Sequence, residues 1–159
     1  MNSKKGNKRK RIIVGTIIFF MLFGAYNLIW HQITYSKYDK FSKDMEPVFK
    51  GMLAQVYYST SYHCREDGYQ YSVKYPDYLF YTGNLAISND DDTCSIIIWP
   101  SFFGNTKYGV MIQDEQDGYQ IMVDENMEPI DKYFAPIIDK HKEVVKPLFD
   151  KANERWDTL

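Results

Sequence analysis

Asn84-Leu-Ala-Ile-Ser-Asn-Asp-Asp-Asp-Thr-Cys-Ser-Ile-Ile-Ile-Trp99 holds two short β-type runs around a polar tetrad. Asn84–Ser88 is centred on Leu85 and Ile87 and Thr93–Trp99 on Ile96, Ile97 and Ile98, and turn formers lie between them. Asn89-Asp-Asp-Asp92 between them reads as a hairpin loop of more than two residues. The same texture extends on both sides. Tyr69-Gln-Tyr-Ser-Val-Lys-Tyr75 alternates in the period of a half-buried strand. Tyr108–Gln113 and Tyr119–Val123 flank Asp114-Glu-Gln-Asp-Gly118, a second hairpin closed by Asp117-Gly118. The expectation is a meander of four or five antiparallel strands. Asp-Gly-Tyr-Gln-x-x-Val occurs at Asp67–Val73 and again at Asp117–Val123. The echo reads as the same turn-then-strand chemistry used twice.

Helical periodicity flanks the meander. Before it, Tyr38, Phe41, Met45, Val48, Phe49, Met52, Leu53 and Val56 recur near the 3.6 period. This predicts an amphipathic helix over Ser36 to about Tyr58, with a kink or restart at Pro47. After it, Phe134, Ile137, Ile138, His141, Val145, Leu148, Phe149, Ala152 and Trp156 form one stripe from Asp131 to about Trp156. Pro136 suits a first helical turn, and Pro147 predicts a kink or two short helices. Helix, meander, helix, with both helices on one sheet face, is an α+β two-layer sandwich.

Further out lies Ile12–Trp30, 19 residues without a charged side chain. At about 1.5 Å per residue they span about 28 Å, close to a ~30 Å hydrocarbon core. Eleven are Ile, Leu, Phe or Val. Tyr26 and Trp30 stand where interfacial aromatics belong, and Arg11 marks the opposite interface. A signal peptide is the competing reading. The run is longer than the ~7–15 residues of an h-region, and no small-x-small site follows it. Membrane helix followed by sheet-packing helix is superficially pilin-like. A prepilin, however, needs a Gly or Ala just before its apolar run and a Glu at the fifth position. Here Gly15 lies inside the run and precedes Thr16-Ile-Ile-Phe-Phe20.

The division is therefore a basic cytoplasmic tail at 1–11, an anchor helix at 12–30 and an extracytoplasmic domain at 31–159. The first eleven residues hold six of the 19 basic residues and no acid, which leaves 13 basic against 21 acidic, a net of −8 for the rest. The positive-inside rule keeps the N-terminus in the cytoplasm and sends the domain outside the plasma membrane. A domain of that charge repels phosphate backbones, so nucleic acid is not its partner. The lipid bilayer is a partner through residues 12–30, and a membrane or envelope protein is the expected second one.

Chemistry-bearing residues are sparse. Outside the cytoplasm an even cysteine count favours a bridge between Cys64 and Cys94. It would close a loop of about 30 residues and stabilise by roughly 3–4 kcal/mol. The alternative is two free thiols, Cys94 in a strand and Cys64 in a turn. No His pair at metal-binding spacing, GxGxxG, GxxxxGK[ST] or GxSxG occurs, and no metal or cofactor is expected. Asp90–Asp92 and Asp114, Glu115 and Asp117 read as solvated turns. Trp99, Phe102 and Phe103 sit in one loop, either exposed for recognition of a partner or folded back as core. Three functions are open. One is a tethered, non-enzymatic interaction domain. Another is an envelope enzyme or ligand binder with a pocket where His63, His141, Asp92, Asp117 and Tyr71 converge. The third is an accessory subunit that packs its span against a partner's helices.

Overall fold

The computed structural model describes residues 3–48, 60–78, 80–102, 104–114 and 117–157. The first element, α1, runs unbroken over Ser3–Phe41, 39 residues. It contains a window long and apolar enough to cross a membrane. From Ile12 to Ile29 no side chain is buried. Burial starts at Trp30 and repeats at Thr34 and Tyr38, one turn apart each time. The apolar run and the first helix of the folded domain are thus one rod.

The helix expected to reach about Tyr58 ends much earlier. After Phe41 comes a turn in which Asp44 takes φ 66°, a left-handed conformation that Asp tolerates and that no helix continues. Glu46–Pro47 then form strand β1. Pro47 is accommodated because β1 is an edge strand, where a missing N–H costs no ladder bond. Val56 and the rest of the expected stripe beyond Val48 lie outside the described residues.

The sheet has seven strands rather than four or five, in the order β1 to β7, each antiparallel to the next. The others are β2 (Ser61–Glu66), β3 (Tyr69–Lys74), β4 (Asn84–Asn89), β5 (Cys94–Trp99), β6 (Lys107–Gln113) and β7 (Gly118–Val123). The additional strands are β1 and β2. Asp67 (φ 52°) and Gly68 (φ 78°) join β2 to β3 as a two-residue turn with both central φ positive, the geometry that matches strand twist. Cys64 accordingly lies in a strand and not in a turn. The β4–β5 loop follows the expected hairpin. Asn89 accepts a hydrogen bond from the Cys94 amide at 3.0 Å, and Asp92 takes φ 53°.

Two rows of side chains cross the buried face. One is Cys64, Tyr71, Ile87, Ile96, Val110 and Ile121; the other is Tyr62, Val73, Leu85, Ile98, Tyr108 and Val123. Against them pack Tyr38 of α1 and the C-terminal helices α2 (Ala135–Lys140) and α3 (Lys142–Trp156). A 3₁₀ turn at Lys132–Phe134 precedes α2, capped by Asp131, whose carboxylate accepts the Tyr133 amide at 3.0 Å. Pro136 sits in the first turn of α2. The break between helices falls at His141, while α3 carries Pro147 inside it without interruption. Val145, Leu148, Ala152 and Trp156 form its buried stripe. The Trp156 indole donates to the Phe41 carbonyl at 3.1 Å, satisfying an acceptor left open at the end of α1. The α+β class is as expected, with a larger sheet.

The meander has two chemically different ends. The turns after β2, β4 and β6 carry Asp67, Asp90, Asp91, Asp92, Asp114 and Asp117. At the other end, the β3–β4 and β5–β6 connections carry Tyr78, Phe80, Tyr81 and Phe102, with charges of both signs: Lys74 paired with Asp77, Lys107 at the start of β6, and Asp124 and Glu125 after β7.

Candidate functional site

One sheet face is covered by helices, and strand alternation turns the other set of side chains away from them. On that face His63, Ser72, Ala86, Ile97, Gly109 and Met122 form one cross-strand row. Arg65, Gln70, Ser88, Ser95, Met111 and Gln120 form a second. Ser72, Ala86, Ser88 and Ser95 lie between bulkier His63 and Arg65 on β2 and Met111, Gln120 and Met122 on β6 and β7, so the face is a shallow trough. Its hollows are about 370 Å³ beside His63 and Ser88, about 320 Å³ beside Met111 and about 600 Å³ beside Trp99 and Met122. Met111 is 43% exposed and Met122 36%. The Gln70 Nε2 is buried with no acceptor.

The side chains that would make a reactive centre are not assembled. His63 and Asp92 line the same hollow, and Ser88 donates to Asp92 at 2.9 Å. By register, the His63 and Ser88 Cα atoms are two strands and two residues apart, about 12 Å, well outside hydrogen-bonding reach. Tyr71 points to the opposite face, edge-on to Trp156. His141 stands 3.8 Å from Asp114 at the helix junction, and Asp117 is exposed in the β6–β7 turn. Among the described residues, no group of His, Cys, Asp and Glu is placed to hold a metal ion.

The bridge expected between Cys64 and Cys94 is not made: both thiols are free. They lie on β2 and β5 with two strands between them. Inter-strand spacing puts their Cα atoms about 16 Å apart, against a limit of about 7 Å for a disulfide. Burial pushes the Cys94 thiol up to about 11. Burial also raises Cys64, and the neighbouring Arg155 guanidinium offsets part of that rise. Neither is an activated nucleophile.

The three aromatics expected in one loop are placed differently: Trp99 ends β5 on the open face, and Phe102 packs inward. Trp99 is half-buried and lies over Gly109, where an added Cβ would meet its ring at 3.0 Å. Phe102 packs edge-on to Tyr81 and carries the Lys37 ammonium 4.1 Å above its ring. Phe103 lies outside the described residues.

Of the interface residues, Arg11 and Tyr26 are exposed, whereas Trp30 is 7% exposed. Its indole Nε1 donates to the Phe80 carbonyl at 2.6 Å and its ring meets Tyr78 edge-on. The Tyr78 hydroxyl bonds the Asn27 side chain, and the Tyr81 hydroxyl bonds Tyr26. Sequence reading missed this docking of the β3–β4 loop on α1. The signal available was the density of aromatics at Tyr75, Tyr78, Phe80 and Tyr81. No family model matches the chain, and no curated protein or solved structure is detectably similar to it.

Proposed function

We propose that this chain is a membrane-anchored, non-enzymatic interaction module that offers the open face of its sheet to another membrane or envelope protein. The carrying observation is that face: two full cross-strand rows, no covering layer among the described residues, and two exposed methionines among small polar neighbours. Met side chains adapt to varied surfaces, and hydroxyl and amide groups between them supply directional bonds. The apolar part of α1 is the anchor. The Lys and Arg cluster before it supports an N-terminus in the cytoplasm and a domain outside the plasma membrane.

A photocrosslinking residue at Met111 or Met122 should trap the same defined neighbour in intact cells, while one at Glu143 on the helical side traps none. Absence of a defined adduct from either open-face position at native expression would sink the proposal. Impermeant maleimide on an Asp90→Cys variant tests the topology. Labelling of intact cells is expected, and labelling only after lysis reverses the orientation.

A hollow of about 360 Å³ between the 125–129 loop and α2–α3 favours a second reading, a small-ligand binder. Met127, Ile138, Val145 and Phe149 line its apolar part, and charged groups of both signs, among them the Lys146–Asp150 pair, line the rest. Filling it with Ala135→Trp should then abolish activity in cells while leaving Met111 crosslinks intact.

A further inference from the structure

The β3–β4 loop is tied to the part of α1 that the anchor reading places in the bilayer. Tyr78 bonds Asn27, Tyr81 bonds Tyr26, and the Phe80 carbonyl accepts the Trp30 indole. A hydrogen bond from the Phe80 amide to the Asp77 carbonyl at 2.9 Å fixes the loop's own turn. So held, Tyr78 is 57% and Phe80 68% exposed, beside Leu28 at 75% and Ile29 at 55%. These side chains form one apolar and aromatic surface continuous with the helix.

Length sets the depth of that surface. Arg11 bounds the apolar run on one side. From Ile12 a hydrocarbon core of ~30 Å takes about 20 residues at about 1.5 Å each, ending near His31. The stretch below the loop, residues 12–25, covers only about 21 Å. A helix that spans therefore brings the loop to the boundary between hydrocarbon and headgroups, where Tyr and Trp rings partition best.

We propose that the β3–β4 loop is a second membrane contact: Tyr78 and Phe80 insert at the headgroup boundary, so that the sheet stands end-on to the bilayer with its acidic turns pointing away. The inference rests on the anchor reading, and its test separates the two. A Cys64→Ser background leaves only the buried Cys94, and single cysteines at Phe80, Asp90 and Leu22 then carry an environment-sensitive fluorophore. The full chain is reconstituted in phosphatidylcholine–phosphatidylglycerol vesicles with nitroxide-labelled lipids.

The label at 80 should be blue-shifted and quenched about twofold or more by a nitroxide near the headgroup. The label at 22 should be quenched by a deep nitroxide, and the label at 90 by neither. If position 22 is quenched but position 80 is as solvated as position 90, the loop inference falls and the anchor stands. Equal quenching at 80 and 90 means a domain lying flat, which overturns the end-on orientation. A solvated position 22 removes the anchor and this inference with it.

Discussion

The indole of Trp30 donates a 2.6 Å hydrogen bond to the carbonyl of Phe80, fifty residues away in sequence. It joins the last turn of the apolar run to a loop between two strands, so α1 is a structural part of the domain it carries. Trp30→Ala removes a buried ring and the bond together and should destabilise the domain by about 3–5 kcal/mol. Trp30→Phe keeps most of the packing and loses the bond, for about 1 kcal/mol. Urea unfolding in detergent micelles, read by circular dichroism, should rank the two in that order. Equal and small losses would mean that the junction carries no load.

Gly83 is where the β3–β4 loop returns to the sheet. An added Cβ there would stand 2.1 Å from the Lys74 carbonyl oxygen and 2.9 Å from the Tyr38 ring. The first neighbour is backbone and cannot rotate aside. The Gly83 amide also donates to the buried Tyr38 hydroxyl at 2.7 Å. Gly83→Ala must displace α1 or the loop, so it should cost about 3 kcal/mol or more. Loss of protease resistance in residues 60–157 is the readout. A resistant, well-expressed Gly83→Ala protein contradicts this geometry.

Alkaline pH should weaken the domain through its buried thiol. Cys94 ionises near 9.0 when unfolded and is raised to about 11 by burial. Below pH 9 both states hold the proton and the group exerts no pH dependence. Between pH 9 and pH 11 the unfolded state releases it first, so stability falls across that window. Tyr38, Tyr71, Tyr75 and Tyr108, also raised by burial from 10.0, extend the fall with the same sign. Cys94→Ala should lower stability throughout yet flatten its slope between pH 9 and 10. An unchanged slope would exclude Cys94 as the source.

How far the fold was legible depends on whether a signal was local. The β4–β5 hairpin was readable because apolar runs flank an Asn-Asp-Asp-Asp turn. Helix was readable from Ser36 to Phe41 but its end was not, because the apolar spacing continues to Val48 while Asp44 in the left-handed region and Pro47 at a sheet edge break it. Strand β2 was hidden by its composition: Tyr62 and Cys64 alternate with exposed His63 and Arg65, a pattern weak in hydrophobicity. The cysteine arithmetic failed since it counts residues, whereas strand order sets distance. The junction at Trp30 depends on contacts fifty residues apart, which no window of sequence displays. The open face was invisible for a related reason: alternation shows that a strand has two faces, but only the packing of α1, α2 and α3 shows which one is covered.

Arg155 links the C-terminal helix to the first hairpin. Its guanidinium donates to Glu66 at 2.7 Å and lies 4.7 Å above the Tyr71 ring. Glu66 is well exposed, so the ion pair itself contributes little, on the order of 0–1 kcal/mol. The stacked guanidinium contributes a comparable or larger share through its contact with the ring. Glu66→Gln should therefore be nearly neutral, Arg155→Lys should cost about 1 kcal/mol and Arg155→Ala about 2 kcal/mol. A double-mutant cycle with Tyr71→Leu should show coupling, and a cycle with Glu66→Gln much less. The reverse order would place the energy in the ion pair.

Substitutions on the open face should separate binding from folding. Met111 and Met122 extend outward from β6 and β7, each about 40% exposed, so replacing them leaves the core rows intact. Lysine at either site keeps an aliphatic stem along the sheet and adds a charge at the tip. Met111→Lys and Met122→Lys should each change stability by less than about 1 kcal/mol. Partner capture through a photocrosslinker at Gln120 should fall steeply, since an uncompensated charge in the centre of an interface costs several kcal/mol. Val144→Lys, on an exposed site of α3, is the control and should leave capture unchanged. Capture that survives both methionine substitutions but is lost with Val144→Lys would move the interface to the helical side.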